Sequence, residues 1–320
     1  MGFDFDAAVT APFRMQPGLR RMAAGDRHLT PSVAPNRGSA RHLREKLAVL
    51  SVYAQSALLA RPGFDAEPCV SALARHAADE QPEAFALDGN DLTARWLGWA
   101  IDDREQPRAL NSAWPEVGEC LAALPASWRR AALLSLGVEE DFAIIDGNDG
   151  SIPWLAVALP SHWAPEQKVG RSFGDVHAPV ADNQRILAAA AHLARLVTGT
   201  DRWERFVWTI TRHPRLHAHP ARVDANPWPD GVDGDALAQL AWWRTERQTF
   251  IPLPERRQAI FTIQVDVQPL ATALADPLRA ERVHAALASM NDDVLDYRGL
   301  GPVHERLLRW LAATSARPRQ

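Results

Sequence analysis

Lysine is almost missing from this chain of 320 residues: Lys46 and Lys168 are the only two. Arginine supplies the rest of the 35 basic residues against 39 acidic ones, and the net charge of -4 leaves no basic footprint for nucleic acid. Cysteine is confined to Cys69 and Cys120, which permits one disulfide and dictates none. Two buried thiols in a reducing cytoplasm are the expected state. No apolar run approaches the roughly 18 residues that cross a bilayer, so no membrane helix is expected. The opening MGFDFDAAVT lacks the basic and apolar regions of a secretory signal. A G-x-G-x-x-G nucleotide fingerprint is also absent, so any redox chemistry draws its electrons from a partner. There are no internal repeats and no low-complexity tract.

What is present reads as a globular chain, with 47% hydrophobic and 23% charged residues. Twelve tryptophans stand against two tyrosines. That indole load suits a deep pocket around a flat aromatic ligand, or reflects composition alone. An extended arm, rich in Pro, Gly and Arg, is expected over residues 1–38. A mainly helical portion follows over 39–136. Its first helix, Ser39 to Ala60, has Leu43, Leu47, Leu50, Ala54 and Leu58 at three- and four-residue steps. Asp65 can cap a second helix with Pro68 in its first turn. Further helices are expected at Asp91 to Ile101, Pro115 to Leu124 and Ser127 to Leu136.

From residue 137 to 270 the pattern turns to strands. Asp141 to Asp146 and Ile152 to Leu159 flank DGNDG, a hairpin signal. A helix over Asp182 to Val197 precedes strands at Arg205 to Thr211, Ala241 to Ile251 and Gln258 to Val267. Residues 271–320 close with helices at Pro277 to Met290 and Val303 to Ala312. Hairpin-linked strands with helices before and after predict an antiparallel α+β fold.

Several side-chain groups could carry chemistry. Arg244, Glu246 and Gln248 alternate with Thr245, Arg247 and Thr249, so both faces of one strand are polar and need partners if buried; a solvated edge strand is the bland alternative. Glu139, Glu140 and Asp141 read as a solvated strand start. His213, His217 and His219 form H-x3-H-x-H, in which His217 and His219 share a face as two possible metal ligands. His177 sits in GDVHAPV, where Pro179 restrains the backbone.

Four blocks, taken in order, point further: VEEDFAII (138–145), HWAPEQKVGRSFGDVHAPV (162–180), RWERFVWTI (202–210) and RTERQTFIPLP (244–254). Together they resemble the haem-dependent oxidative N-demethylase family, whose founding activity removes a methyl group from dimethylamine. The arm segment PFRMQPGLR (12–20) also looks family-like. The resemblance implies a PAS-like antiparallel sheet over residues 137–270 that holds haem b. It implies His177 as the axial metal ligand, with Asp175 or a carbonyl on its other ring nitrogen. Lys168, Arg171, Arg244 and Arg247 become candidates for the haem propionates, and Glu246 and Gln248 for the catalytic groups beside a bound amine or dioxygen. The implied reaction is monooxygenation of a small methylated amine with release of formaldehyde, served by an external flavin or iron–sulfur reductase. Two departures, Val207 before Trp208 and Gln264 to Val267 at the last strand, imply a substrate other than dimethylamine. The rival readings are a non-catalytic haem or small-ligand sensor with a PAS-like pocket, and a mononuclear metal enzyme built on His217 and His219.

Overall fold

A computed structural model describes residues 3–35, 38–178, 181, 184–223 and 228–317. Along the arm lie a short helix α1 (Phe5–Ala8) and a two-residue strand β1 (Arg20–Arg21). Then come α2 (Arg41–Ala57), β2 (Leu58–Ala60) and α3 (Glu67–Glu80). Leu43, Leu47 and Leu50 of α2 are buried, as their spacing predicts. Pro68 occupies the first turn of α3, and Asp65 accepts the amide of Glu67 there.

Next is a small antiparallel meander, β3 (Phe85–Asp88), β4 (Asp91–Ala94), β5 (Trp99–Ile101) and β6 (Pro107–Ala109). The helix expected over Asp91 to Ile101 is therefore two strands. Gly98 turns the chain between them at φ 74°, a conformation that other residues rarely take. Leu92 and Ala94 are buried on either side of Thr93, a period of two. The helical portion resumes with α4 (Pro115–Ala123) and α5 (Ala126–Gly137).

The main sheet begins with β7 (Asp141–Asp146) and β8 (Trp154–Ala156). Their turn closes as DGNDG predicts: Asn148 donates its amide to Asp146 Oδ1, and Gly150, at φ 69°, donates to the Asp146 carbonyl. Two helices, α6 (Phe173–His177) and α7 (Gln184–Val197), lead to β9 (Trp203–Thr211). A short helix α8 (Gly234–Leu240), not foreseen, precedes β10 (Trp242–Leu253) and β11 (Gln258–Pro269). Helices α9 (Leu270–Ala273), α10 (Pro277–Ala288), α11 (Asp292–Tyr297) and α12 (His304–Ser315) complete the chain.

The seven strands are ordered β1-β9-β10-β11-β7-β8-β2, with every neighbouring pair antiparallel. The fold is α+β, as the pattern of elements predicts. Phe142, Ile144 and Ile260 point from one face of the sheet into a core shared with α2, α3 and α5. Ala143, Ile145, Leu155, Phe250 and Ala259 point the other way, toward α7. A further core packs Trp208 and Trp243 against α8 to α12, the two indoles stacked 4.8 Å apart.

β10 is not an edge strand. It pairs with β9 on one side and β11 on the other, so its polar residues lie in the middle of the sheet. The acidic run at the start of β7 is likewise not solvated: Glu139, Glu140 and Asp141 are all buried. Asp141 forms an ion pair at 3.1 Å with Lys46, itself fully buried, and accepts the Leu159 amide. Lys46 donates its three protons to the carbonyls of Ser135, Val138 and Glu140, so the contact with Asp141 Oδ1 is one of charge. Cys69 and Cys120 are buried and unpaired. Among the described residues no helix is long and apolar enough to cross a membrane.

Glu140 gives the fold a pH signature. Burial pushes its carboxyl from 4.5 up to about 7, with the Thr30 amide opposing and Glu139 adding to the rise. The folded state thus holds this proton more tightly than the unfolded chain. The contribution is full below the unfolded value and is lost as pH rises toward about 7. Thermal melts across about pH 5 to 8 should show wild-type stability declining relative to Glu140→Gln, which cannot ionise. Parallel curves for the two proteins would show that Glu140 does not carry the effect.

Candidate functional site

The face of the sheet that carries Arg205, Val207, Arg244, Glu246, Gln248, Phe250, Phe261 and Ile263 opens onto a cavity of about 450 Å³. That volume falls in the range of small-molecule and cofactor sites. Ala143, Ile145 and Leu155 extend an apolar floor across β7 and β8. The far wall comes from His162, Trp163, Lys168, Phe173 and Val176, and the arm closes a third side with Phe13 to Gly18.

Strand alternation explains which candidates meet here. Arg244, Glu246 and Gln248 share the cavity face, whereas Thr245 and Arg247 face the opposite side of the sheet. Glu246 is held by Gln248, whose amide donates to Oε2 at 2.6 Å. Arg244 is almost wholly buried. Its Nε donates to Ser161 Oγ and its Nη atoms to the carbonyls of Pro160, Arg215 and Leu216. Burial pulls its pKa down to about 10, with Glu246 opposing. Those four oxygens take up its donors, so Arg244 pins the loops beside the cavity and has little left for a ligand.

Arg247 is not brought together with the others. It makes a two-pronged ion pair with Glu204 across the sheet from the cavity, and its Nη1 donates to the Arg27 carbonyl. Arg171 is exposed and is not among the residues that line the cavity. Lys168 does line it, and its Nζ donates to the Val176 carbonyl, which ties α6 to the preceding turn. Asp175 accepts from Ser172 Oγ and returns its amide to it, an N-cap for α6. His177 is the last residue of α6, and its side chain lies outside the described residues, as does Pro179.

Several cavity residues escaped the sequence reading. Arg205 faces Glu246 with its Nε shut from solvent and unpartnered, and burial lowers its pKa while Glu246 resists. Arg298 donates to the Trp208 carbonyl and lies over the rings of Phe13 and Trp208; its Nε is equally unpartnered. Arg14 adds a further cation from the arm. His162 opens the second block and sits at φ 62°, unusual for a residue with a Cβ. Its ring is reached from the cavity but enclosed by protein. That desolvation, with Arg244 and His213 beside it, holds its pKa near about 4, so the imidazole is neutral. The one available signal for Arg14 was the PFRMQPGLR segment; nothing local marked Arg298.

Three possibilities that the sequence left open are decided here. Gln264 and Asp266 lie on the Arg247 side of the sheet, where Gln264 donates to Glu139, so they cannot touch a ligand in this cavity. Of the departures, only Val207 lines it. Tryptophan does not build the pocket either: Trp163 and Trp208 line it, and the others pack elsewhere. His217 and His219 do not form a metal pair. The Nε2 of His219 is on Glu166 and its Nδ1 accepts the Ala221 amide, which leaves no lone pair for an ion.

The balance of charge in the cavity is one-sided. Arg14, Lys168, Arg205, Arg244 and Arg298 line it, and among the described residues Glu246 is the one carboxylate that does. An apolar floor with unpartnered guanidinium nitrogens suits a flat, largely apolar ligand carrying anionic groups. A haem with two propionates fits that description. The chain belongs to the family described as haem-dependent oxidative N-demethylase, alpha subunit-like, which it matches over residues 70–308. It is accordingly a haem-dependent, oxidative N-demethylase-like oxidoreductase.

Two arginines on opposite faces of the sheet, Arg247 on β10 and Arg205 on β9, separate stability from ligand binding. Arg247→Ala leaves Glu204 buried with only Arg20 beside it and should cost about 3 kcal/mol of stability in a denaturant melt. It should leave haem uptake by the folded protein unchanged, while Arg205→Ala weakens uptake with little loss of stability. Equal haem loss in the two variants would mean that the faces are not functionally distinct.

Proposed function

We propose that the protein is a haem b monooxygenase that demethylates a small methylated amine and releases formaldehyde. The observation that carries this reading is the cavity itself: an apolar floor, a rim of arginines with unpartnered Nε atoms, and one carboxylate, Glu246. When bound, haem supplies reductive activation of dioxygen, chemistry that the chain's own side chains lack. Arg14, Arg205, Arg298 and Lys168 would hold the propionates. His177 would supply a ligand to the haem iron. In support, its helix α6 contributes Phe173 and Val176 to the wall and is anchored there by Lys168. The five strands β7 to β11, with α6 and α7 between the second and third, make up the PAS-like core.

Glu246 is placed to take the cationic end of an amine. Gln248 fixes its carboxylate, and the Arg205 guanidinium interacts with it electrostatically. Val207, beside Glu246 on β9, offers an apolar contact to the methyl groups. In the overall reaction a methyl C–H bond is oxidised to a carbinolamine. Its C–N bond then breaks to give formaldehyde and the shorter amine. The second oxygen atom leaves as water, with electrons from an external flavin or iron–sulfur reductase. Glu246 is positioned to accept the carbinolamine proton as that bond breaks. We place this chemistry in the cytoplasm, where the free thiols of Cys69 and Cys120 persist.

Two measurements test the proposal. Purified protein reconstituted with haem, a reductase and a panel of methylated amines should release formaldehyde, and Glu246→Gln should reduce kcat/KM by about 100-fold. A Soret band without formaldehyde from any amine would leave a sensor instead. His177→Ala should lose the axial-ligand signature of the spectrum, whereas His162→Ala should keep it. The reverse pattern would transfer the iron to His162.

A further inference from the structure

Where the arm meets α3, three side chains converge that the cavity does not use: His28, His76 and Glu80. His76 and Glu80 are one helical turn apart on α3, so they project from the same face. His28 comes from the arm and is almost wholly buried. Its Nδ1 lies 3.1 Å from His76 Nε2 and 3.2 Å from Glu80 Oε1, and His76 Nε2 lies 3.4 Å from the same oxygen. The three atoms form a nearly equilateral triangle. Nitrogen and oxygen ligands held about 2.0–2.1 Å from a tetrahedral zinc ion stand roughly 3.3 Å from one another.

Hydrogen bonds alone do not satisfy this triangle. Arg202 reaches both nitrogens of the His28 ring: its Nε donates to Nε2 at 3.3 Å, and its Nη2 lies 3.4 Å from Nδ1. With Nε2 as the acceptor of the shorter contact, the His28 proton is on Nδ1. If His76 Nε2 is also protonated, two N–H groups face each other at 3.1 Å. If it is not, its lone pair faces the carboxylate at 3.4 Å. One edge is repulsive in either case. A cation at the centre of the triangle would take a lone pair from each of the three atoms and outweigh their mutual repulsion.

The surroundings favour the ligand forms of these groups. Burial, with the nearby His76 and Arg202, lowers the pKa of His28 against the pull of Glu80, so its ring is neutral. Burial would raise the Glu80 carboxyl, but His28, His76 and the amides of His28 and Leu29 hold it well below the usual range. Those amides also fix its orientation, as the outer contacts of metal-binding carboxylates do.

We propose that His28 Nδ1, His76 Nε2 and Glu80 Oε1 bind one divalent transition cation of the zinc class, clamping the arm to α3. The fourth position is open to water on the side of His76, whose side chain is 26% exposed. Metal binding moves the His28 proton to Nε2, so Arg202 gives up its contacts to both ring nitrogens and retains its bond to the Asp26 carbonyl. The arm that this ion would fix runs on to the cavity wall at residues 13–18, so its loss would loosen that wall as well.

The test is calorimetric titration of Zn²⁺ into the chelator-treated full-length chain, with melting temperature as a second readout. The expected result is one equivalent bound and a raised Tm. Both should be lost in His76→Ala and Glu80→Gln, and both kept in His217→Ala. Because His76 is partly exposed, His76→Ala should remain folded by circular dichroism, and His76→Asn serves if it does not. The proposal is overturned if the wild type binds no ion stoichiometrically, or if the His76 variants bind it as the wild type does.

Discussion

Burial of charge in the middle of a sheet is the constraint from which the rest of this molecule follows. β10 puts Arg244, Glu246 and Arg247 between two neighbouring strands, away from the edges where water could solvate them. Ions in such a place need partners on both faces. On one face Arg247 finds Glu204, which in turn binds Arg20 of the arm. On the other, Arg244 is consumed by carbonyls of two loops, and Glu246 by Gln248 and the field of Arg205. The first face becomes structure. The second keeps guanidinium nitrogens without partners beside an open cavity, and becomes the site.

The arm joins the two faces. Residues 13–18 line the cavity, Arg20 and Arg21 extend the sheet beside β9, and residues 26–32 run to the helices behind it. There the Arg27 carbonyl accepts from Arg247, the His28 and Leu29 amides bind Glu80, and the Thr30 amide binds Glu140. The segment carries little regular structure, yet it is held at nearly every step by charge-assisted bonds. Such a strap makes the cavity wall depend on contacts made across the sheet.

Much of the architecture could be read from spacing. β7 and β11 follow from contiguous or alternating apolar residues, and α2 follows from its leucine steps. The strands over 91–101 were hidden because Leu92, Trp96 and Trp99 mimic a helical period and only Gly98 marks the reversal. The polarity of 244–249 was legible, but whether it faced water or protein depended on which strands flank it. For the site, Glu246, Gln248 and Lys168 lie inside recognisable blocks. Arg14 and Arg298 come from opposite ends of the chain and meet only through tertiary folding. His217 and His219 show the converse: their spacing was right for two ligands, but a carboxylate and an amide had already claimed His219.

The most direct test of the account is whether the cavity face of the sheet is where haem resides. Val207 points into that cavity from β9, so Val207→Trp fills space there without touching the ion pairs on the far face. Haem titrated into the wild-type chain should give a saturable Soret band at one equivalent, and the tryptophan variant, folded by circular dichroism, should give none. A variant that takes up haem with the same stoichiometry and spectrum as the wild type would place the cofactor elsewhere and contradict the account.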